Sequence, residues 1–127
     1  MNFNARGEFA AVQGFAVTYP GNGHAIFTWN ASPVSEVTHY EMGVRSGNTI
    51  VAFTGDLLSH VTTVIDDIEG VEMVNGFIRI DKNTTSFRLG LGLGFQGNLA
   101  LRAVVVNDLG IVTDNSASAN RAVNVRR

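Results

Sequence analysis

The sequence predicts an all-β fold, an antiparallel β-sandwich. Three observations predict it. Apolar residues recur with a period of two, turn-forming clusters interrupt them at short intervals, and one Asn-Gly step specifies a hairpin register. The 127 residues, 45% of them hydrophobic and 16% charged, suit a single domain with one continuous core. Residues 1–14 read as an N-terminal arm or first edge segment, and residues 15–127 as the sandwich domain.

The arm, FNARGEFAAVQ, has weak patterning. Its isolated Phe3 and Phe9 are either anchors on a neighbour or part of a disordered end. In HAIFTWN, Ala25, Phe27 and Trp29 share one face. In HYEMGVR, Tyr40, Met42 and Val44 lie opposite Glu41 and Arg45. In NLALRAVVVN, Leu99, Leu101, Ala103 and Val105 lie opposite Arg102. Alternation of this kind marks half-buried strands, and the β-branched and aromatic content agrees. The separating turns are YPGNG, NASP, SGN, FQGN and NDLG.

The hairpin VEMV-NG-FIRI, residues 71–80, is the best specified element. Asn75-Gly76 suits a type I′ turn, in which both central residues need positive φ. That register pairs Val74 with Phe77, Met73 with Ile78, Glu72 with Arg79 and Val71 with Ile80. A facing Glu72 and Arg79 favour it by roughly 0.2–1 kcal/mol. Ahead of it, DLLSHVTTVIDDIEG offers Leu57, Val61, Val64 and Ile68 at helical spacing. The β-branched run Val61 to Ile65 favours strand, so residues 56–70 read as mostly strand or loop, with one helical turn at most near Asp56 to Ser59.

The stretch GLGFQG, residues 92–97, has the G-x-G-x-x-G spacing of a dinucleotide-binding loop. Such a loop must open a helix whose N-terminal N–H groups meet the pyrophosphate. Here NLALRAVVV follows, which reads as strand, so the nucleotide reading fails on context and no cofactor is expected. The expected arrangement is a strand in which Leu89, Leu91, Leu93 and Phe95 face the core and Gly90, Gly92 and Gly94 form a bare opposite face. Glycine weakens a strand by about 0.5–1 kcal/mol per residue. Either another layer approaches closely there (the arm, the hairpin or a neighbouring subunit) or the strand is merely weak.

The order of these strands resembles a fibronectin type III or immunoglobulin-like module, of the kind found in tailed-phage virion proteins. Trp29 ends AIFTW, Tyr40 leads the next strand, and VVNDLG, Val105 to Gly110, has the shape of that family's "AVN-x-x-G" turn. The resemblance covers about Phe15 to Ile50 and Ser86 to Val125. Two departures stand out. Leu99 occupies the position of the tyrosine of a tyrosine corner, and residues 48–86 exceed the pattern by roughly twenty, room for one inserted hairpin at residues 71–80. The resemblance implies a binding, spacing or decorating unit rather than an enzyme.

The side chains carry little legible chemistry. Cysteine is absent, which excludes disulfides and thiolate sites. His24, His39 and His60 are dispersed and read as surface residues. Asp66, Asp67 and Glu69 lack the EF-hand order and read as a solvated loop, so no metal is expected. Ser59-His60 is not a nucleophile motif, and the sequons at Asn30 and Asn83 matter only in a secretory pathway. Trp29 reads as core rather than as a sugar platform. The net charge of −2 and a basic cluster limited to Arg121, Arg126 and Arg127 argue against nucleic acid. No apolar run approaches a membrane span of about 20 residues, and no secretory signal is legible. The expectation is a non-catalytic module made in a host cytoplasm and assembled into a virion, acting through protein contacts at Phe3, Phe9, Gly90, Gly92 and Gly94. The alternative is a glycan- or receptor-binding module using the loops Ser32 to Thr38 and Asn107 to Thr113.

Overall fold

The computed structural model describes residues 8–65 and 68–125. Its strands are β1 (Glu8–Phe9), β2 (Ala16–Gly21), β3 (His24–Thr28), β4 (His39–Ser46), β5 (Thr49–Val51), β6 (Val71–Val74), β7 (Phe77–Asp81), β8 (Ser86–Gly90), β9 (Gln96–Val106), β10 (Val112–Ser116) and β11 (Ala119–Asn124). A helix, α1 (Gly55–Val64), lies between β5 and β6. The strands form an antiparallel β-sandwich. The larger sheet runs β1-β10-β9-β4-β7-β6, with β11 paired to β9 and β5 to β4. The smaller runs β2-β3-β8. The single parallel pairing described sets Glu8 against Asn115 and Phe9 against Ser116.

Period-two alternation puts the apolar faces inward. Ala25, Phe27 and Trp29 from one sheet meet Tyr40, Met42, Leu99, Leu101 and Ala103 from the other, and all are buried. Aromatic rings fill the interlayer. Phe27 lies 5.7 Å from Phe87, and Trp29 meets Tyr40 edge-on at 5.5 Å. Such pairs add about 0.5–1.5 kcal/mol each beyond their buried area.

The hairpin has the register the Asn-Gly step demands: Val71 opposite Ile80, Glu72 opposite Arg79, Met73 opposite Ile78 and Val74 opposite Phe77. Asn75 and Gly76 have φ of 55° and 85°. The hairpin is built into the larger sheet, because β7 pairs with β4. One expected contact is replaced. Arg79 turns from Glu72 to Glu41, 3.1 Å away on β4.

Two expectations are corrected. Residues 55–64 are a ten-residue helix, not strand or loop. Burial of Val61 and Ile65 in the core overrides the local β preference. The awkward threonines are accommodated by bonding back one turn: the Thr62 and Thr63 hydroxyls donate to the carbonyls of Leu58 and Ser59, 2.7 and 3.0 Å away. Asp56 in the first turn suits the positive end of the helix. Secondly, the glycine-rich strand stops at Gly90. Residues 91–95 are a turn, and β9 then runs as strand from Gln96.

Candidate functional site

Residues 91–95 therefore do not present a bare strand face. Gly92 and Gly94 have φ of 94° and 89°, values that a side chain rarely adopts. Leu91 stays in the core, but Leu93 is thrown outward. The turn packs closely against a layer the sequence did not single out, the β2–β3 turn, and it is Gly23 there that makes the room, since a Cβ on Gly92 would meet nothing within 4 Å. Gly92 N–H donates to the Gly23 carbonyl at 2.8 Å, and a Cβ on Gly23 would lie 3.1 Å from the Gly92 backbone. The end of β11 closes the other side. Val125 N–H donates to the Phe95 carbonyl at 2.8 Å, and Gly94 N–H donates to the Val125 carbonyl at 2.6 Å.

These contacts build a cleft of about 400 Å³ among Tyr19, Asn22, His24, Leu93, Asn124 and Val125. Tyr19 and Leu93 are 46% and 60% exposed. The Tyr19 ring is held by its hydroxyl, which accepts a hydrogen bond from Asn124 N–H at 3.0 Å. The cleft thus offers two exposed apolar walls and two side-chain amides, and its lining holds no Asp or Glu.

A second apolar feature lies on the loop joining β9 and β10. Leu109 is 81% and Ile111 56% exposed. The loop carrying them is tightly bonded. Asn107 Oδ1 accepts from the N–H groups of Leu109 and Ile111, at 2.9 and 3.0 Å. Gly110 N–H donates to the Asn107 carbonyl, and Asn107 N–H to the Ile111 carbonyl. Arg79 Nη1 donates to the Gly110 carbonyl at 3.2 Å, tying the loop to the outer surface of the larger sheet.

Beneath that loop is a charged row in which Glu41 faces Arg79 on one side and Arg102 on the other, in direct register. Glu41 Oε2 accepts from Arg79, and Oε1 accepts from Arg102 Nη2 at 2.8 Å. Arg102 also lies 5.3 Å over the Phe77 ring. Glu41 and Arg79 are buried, so the row is structural and carries the loop.

Strand polarity sets these two features at opposite ends. β9 starts beside the cleft and runs eleven residues to the loop. At about 3.3 Å per residue, roughly 30 Å separate them.

Of the remaining sequence-predicted residues, those that are described join neither feature. Phe3, Asp66, Asp67, Arg126 and Arg127 lie outside the described residues, and Phe9 enters through its backbone pairing with Ser116. Gly90 ends β8, where its carbonyl lies 2.7 Å from His60 Nε2. Glu69 is exposed. His39 is half-buried, and its pKa is lowered by burial and by the Arg79 charge. No group of three or more His, Asp or Glu among the described residues could hold a metal ion. Among the described residues, no helix is long and apolar enough to cross a membrane. Of the loops named for the glycan alternative, Ser32 to Thr38 is anchored by buried Val37 and by Ser32 N–H, which donates to the Tyr40 hydroxyl at 2.9 Å, and leaves Pro33, Ser35 and Glu36 exposed. Tyr19 and Leu93 were missed, whereas Leu109 and Ile111 lie in the loop Asn107 to Thr113 that the alternative reading named. The signal for all four was an apolar residue inside a turn motif, YPGNG, GLG and NDLGI, where polar residues are usual.

No protein-family model matches the chain, and no curated protein or solved structure was found to match it.

Proposed function

We propose that this chain is a non-catalytic module of a phage virion, a decorating or tail part that works by protein–protein contact. The observation that carries the reading is the placement of exposed apolar side chains. Tyr19 and Leu93 border one cleft whose walls are hydrogen-bonded, and Leu109 and Ile111 share one internally hydrogen-bonded loop at the far end. Exposed apolar groups scattered singly need no explanation, but grouped ones on pre-bonded backbone mark contact surfaces. The sheet order, with β2-β3-β8 packed on a sheet in which β4 and β9 are neighbours, supports the resemblance to fibronectin type III modules. The absence of cysteine and the abundance of Gly and Asn are compatible with the virion assignment.

The test is peptide mass spectrometry of particles banded from lysates of the producing cells. The reading expects the chain in the particle band at a fixed ratio to the major shell or tail subunit, with Leu93→Asp or Leu109→Asp lowering that ratio at least tenfold. A chain found only in the soluble fraction contradicts it. One observation favours a second reading. The hydrogen-bonded, exposed Tyr19 ring beside Asn22 and Asn124 has the composition of a sugar-stacking platform, so this cleft joins the two turn loops as a candidate surface for the glycan-binding alternative.

A further inference from the structure

We propose that the outer edge of β8 receives an added strand, an extended acidic segment of a partner protein lying antiparallel between β8 and α1. The inference goes beyond the cleft and the loop tip, because it concerns a separate surface. The pairing of β8 fixes which of its backbone groups are free. β8 is an edge of the smaller sheet and meets β3 with Leu89 opposite Ala25, Arg88 opposite Ile26 and Phe87 opposite Phe27. Facing residues of an antiparallel pair alternate between those that exchange hydrogen bonds and those that do not. Trp29 N–H donates to the Thr85 carbonyl at 3.0 Å, so Thr85, Phe87 and Leu89 are in the bonding phase. Ser86, Arg88 and Gly90 therefore turn their N–H and C=O groups away from β3. One bond shows that α1 lies on that side: the Gly90 carbonyl accepts from His60 Nε2–H at 2.7 Å. Among the described residues, no backbone partner reaches Ser86 or Arg88 there.

Strand and helix bound a groove of about 500 Å³, whose walls include Val64, Ile68, Glu69, Thr84, Ser86 and Arg88. Its chemistry specifies the occupant. An unpaired strand edge takes a strand, and half-buried Val64 and Ile68 take apolar side chains at alternate positions. Charge selects among strands. Arg88 and Glu69 are exposed, and neither makes an ion pair among the described residues. A Cβ on Gly70 would lie 3.1 Å from Thr84 Oγ1, which sets Glu69 at the end of the groove where β8 begins. An antiparallel strand runs from the Gly90 end to that end, and its matching order is apolar, acidic, apolar, basic. The acid faces Arg88. The base, opposite Ser86, lies toward Glu69. The apolar pair, opposite Leu89 and Phe87, turns inward, where α1 joins the core. Opposite charges that face each other across a sheet favour pairing, and like charges oppose it. A second copy of β8 in full register would set Arg88 against Arg88, so the occupant is not another β8.

The probe is a synthetic peptide, acetyl-TVEVKT-amide, and its control is acetyl-TVKVKT-amide, in which lysine replaces the acid. Each is titrated into the ¹⁵N-labelled full chain, and amide exchange with water is read residue by residue. The acidic peptide is expected to bind with a Kd on the order of 0.5 mM. At saturation, exchange at the N–H groups of Ser86 and Arg88 slows several-fold, while that of Phe87 and Leu89, already bonded to β3, does not change. The control binds about fivefold more weakly or worse. Arg88→Glu, at an exposed position, keeps the wild-type urea midpoint and reverses the preference between the two peptides.

Three results overturn strand addition: no shifts at about 5 mM acidic peptide, slowing that does not alternate along β8, or an Arg88→Glu chain that keeps the wild-type preference. Strand addition then fails alone if Leu93→Asp or Leu109→Asp still lowers the particle-bound ratio. It fails together with the protein-contact reading if neither variant changes that ratio.

Discussion

Glu41→Gln is the most informative single change in the fold. The substitution keeps the shape of the side chain and removes its charge. Glu41 is 1% and Arg79 6% exposed, so Arg79 is left charged, buried and without an anion. Breaking one partner of a buried pair costs about 3–5 kcal/mol. The second contact, to Arg102, is wetter and adds at most about 1 kcal/mol. The expected loss is therefore about 4 kcal/mol, a large part of the 5–15 kcal/mol that holds a domain of this size folded. With a urea slope of about 1.5 kcal/mol per molar, the unfolding midpoint falls by roughly 2–3 M. The double change Glu41→Leu with Arg79→Met removes both charges and keeps the packing, so it recovers to within about 1–2 kcal/mol of the wild type. Equilibrium urea unfolding followed by Trp29 fluorescence measures all three proteins. A loss below about 1 kcal/mol for Glu41→Gln, the size of a surface pair, refutes the argument. So does a double variant no more stable than the single one.

Three further outcomes follow from the same packing. Ser116 is buried, and its hydroxyl accepts from Ala103 N–H at 2.9 Å; Ser116→Ala orphans that donor and lowers stability by about 1–3 kcal/mol in urea unfolding. In Gly76→Ala the new Cβ meets Ala52 Cβ at 2.8 Å with φ at +85°, so thermal unfolding is expected to show a loss of about 1–3 kcal/mol, whereas Asn75→Gly stays near wild type. His39 has its pKa lowered by burial and by Arg79, against the opposing pull of Asp81, Glu72 and Glu41. The folded state thus binds its proton less readily than the unfolded state, and stability declines as pH falls through the ordinary value of 6.5 toward the lowered one. Subtracting the urea midpoint of His39→Gln from that of the wild type at each pH isolates this decline; a difference that does not vary with pH contradicts it.

The parts of the fold visible in the sequence were those where one local rule acts unopposed. Asn75-Gly76 settles a turn type, and the turn type settles the whole register of β6 and β7. Phe27, Tyr40 and Leu101 fall on the large apolar phase of a period-two pattern, and that phase puts them in the core. Legibility ended where a distant partner decides. The β-branched run of α1 is helical because Val61 and Ile65 find a core to enter, information that residues 55–64 do not contain. Leu91, Leu93 and Phe95 looked like one strand face because period two cannot register φ. Gly92 and Gly94 break the strand so that the turn can meet Gly23 and Val125. Glu41 was placed on the correct face, but its burial depends on Arg79 and Arg102 arriving from two other strands. The loop carrying Leu109 was legible as a turn, but not its anchoring, since it is held by Asn107 and by a guanidinium thirty-one residues away from Gly110.

The claim that the glycine-turn cleft and the β9–β10 tip are contact surfaces is tested most directly by the composition of banded particles. Leu93 and Leu109 are both more than half exposed, so Leu93→Asp and Leu109→Asp leave the urea midpoint of the free chain at its wild-type value. The account predicts that each variant nevertheless lowers the ratio of this chain to the major particle subunit by about tenfold or more. A ratio unchanged in both variants contradicts it.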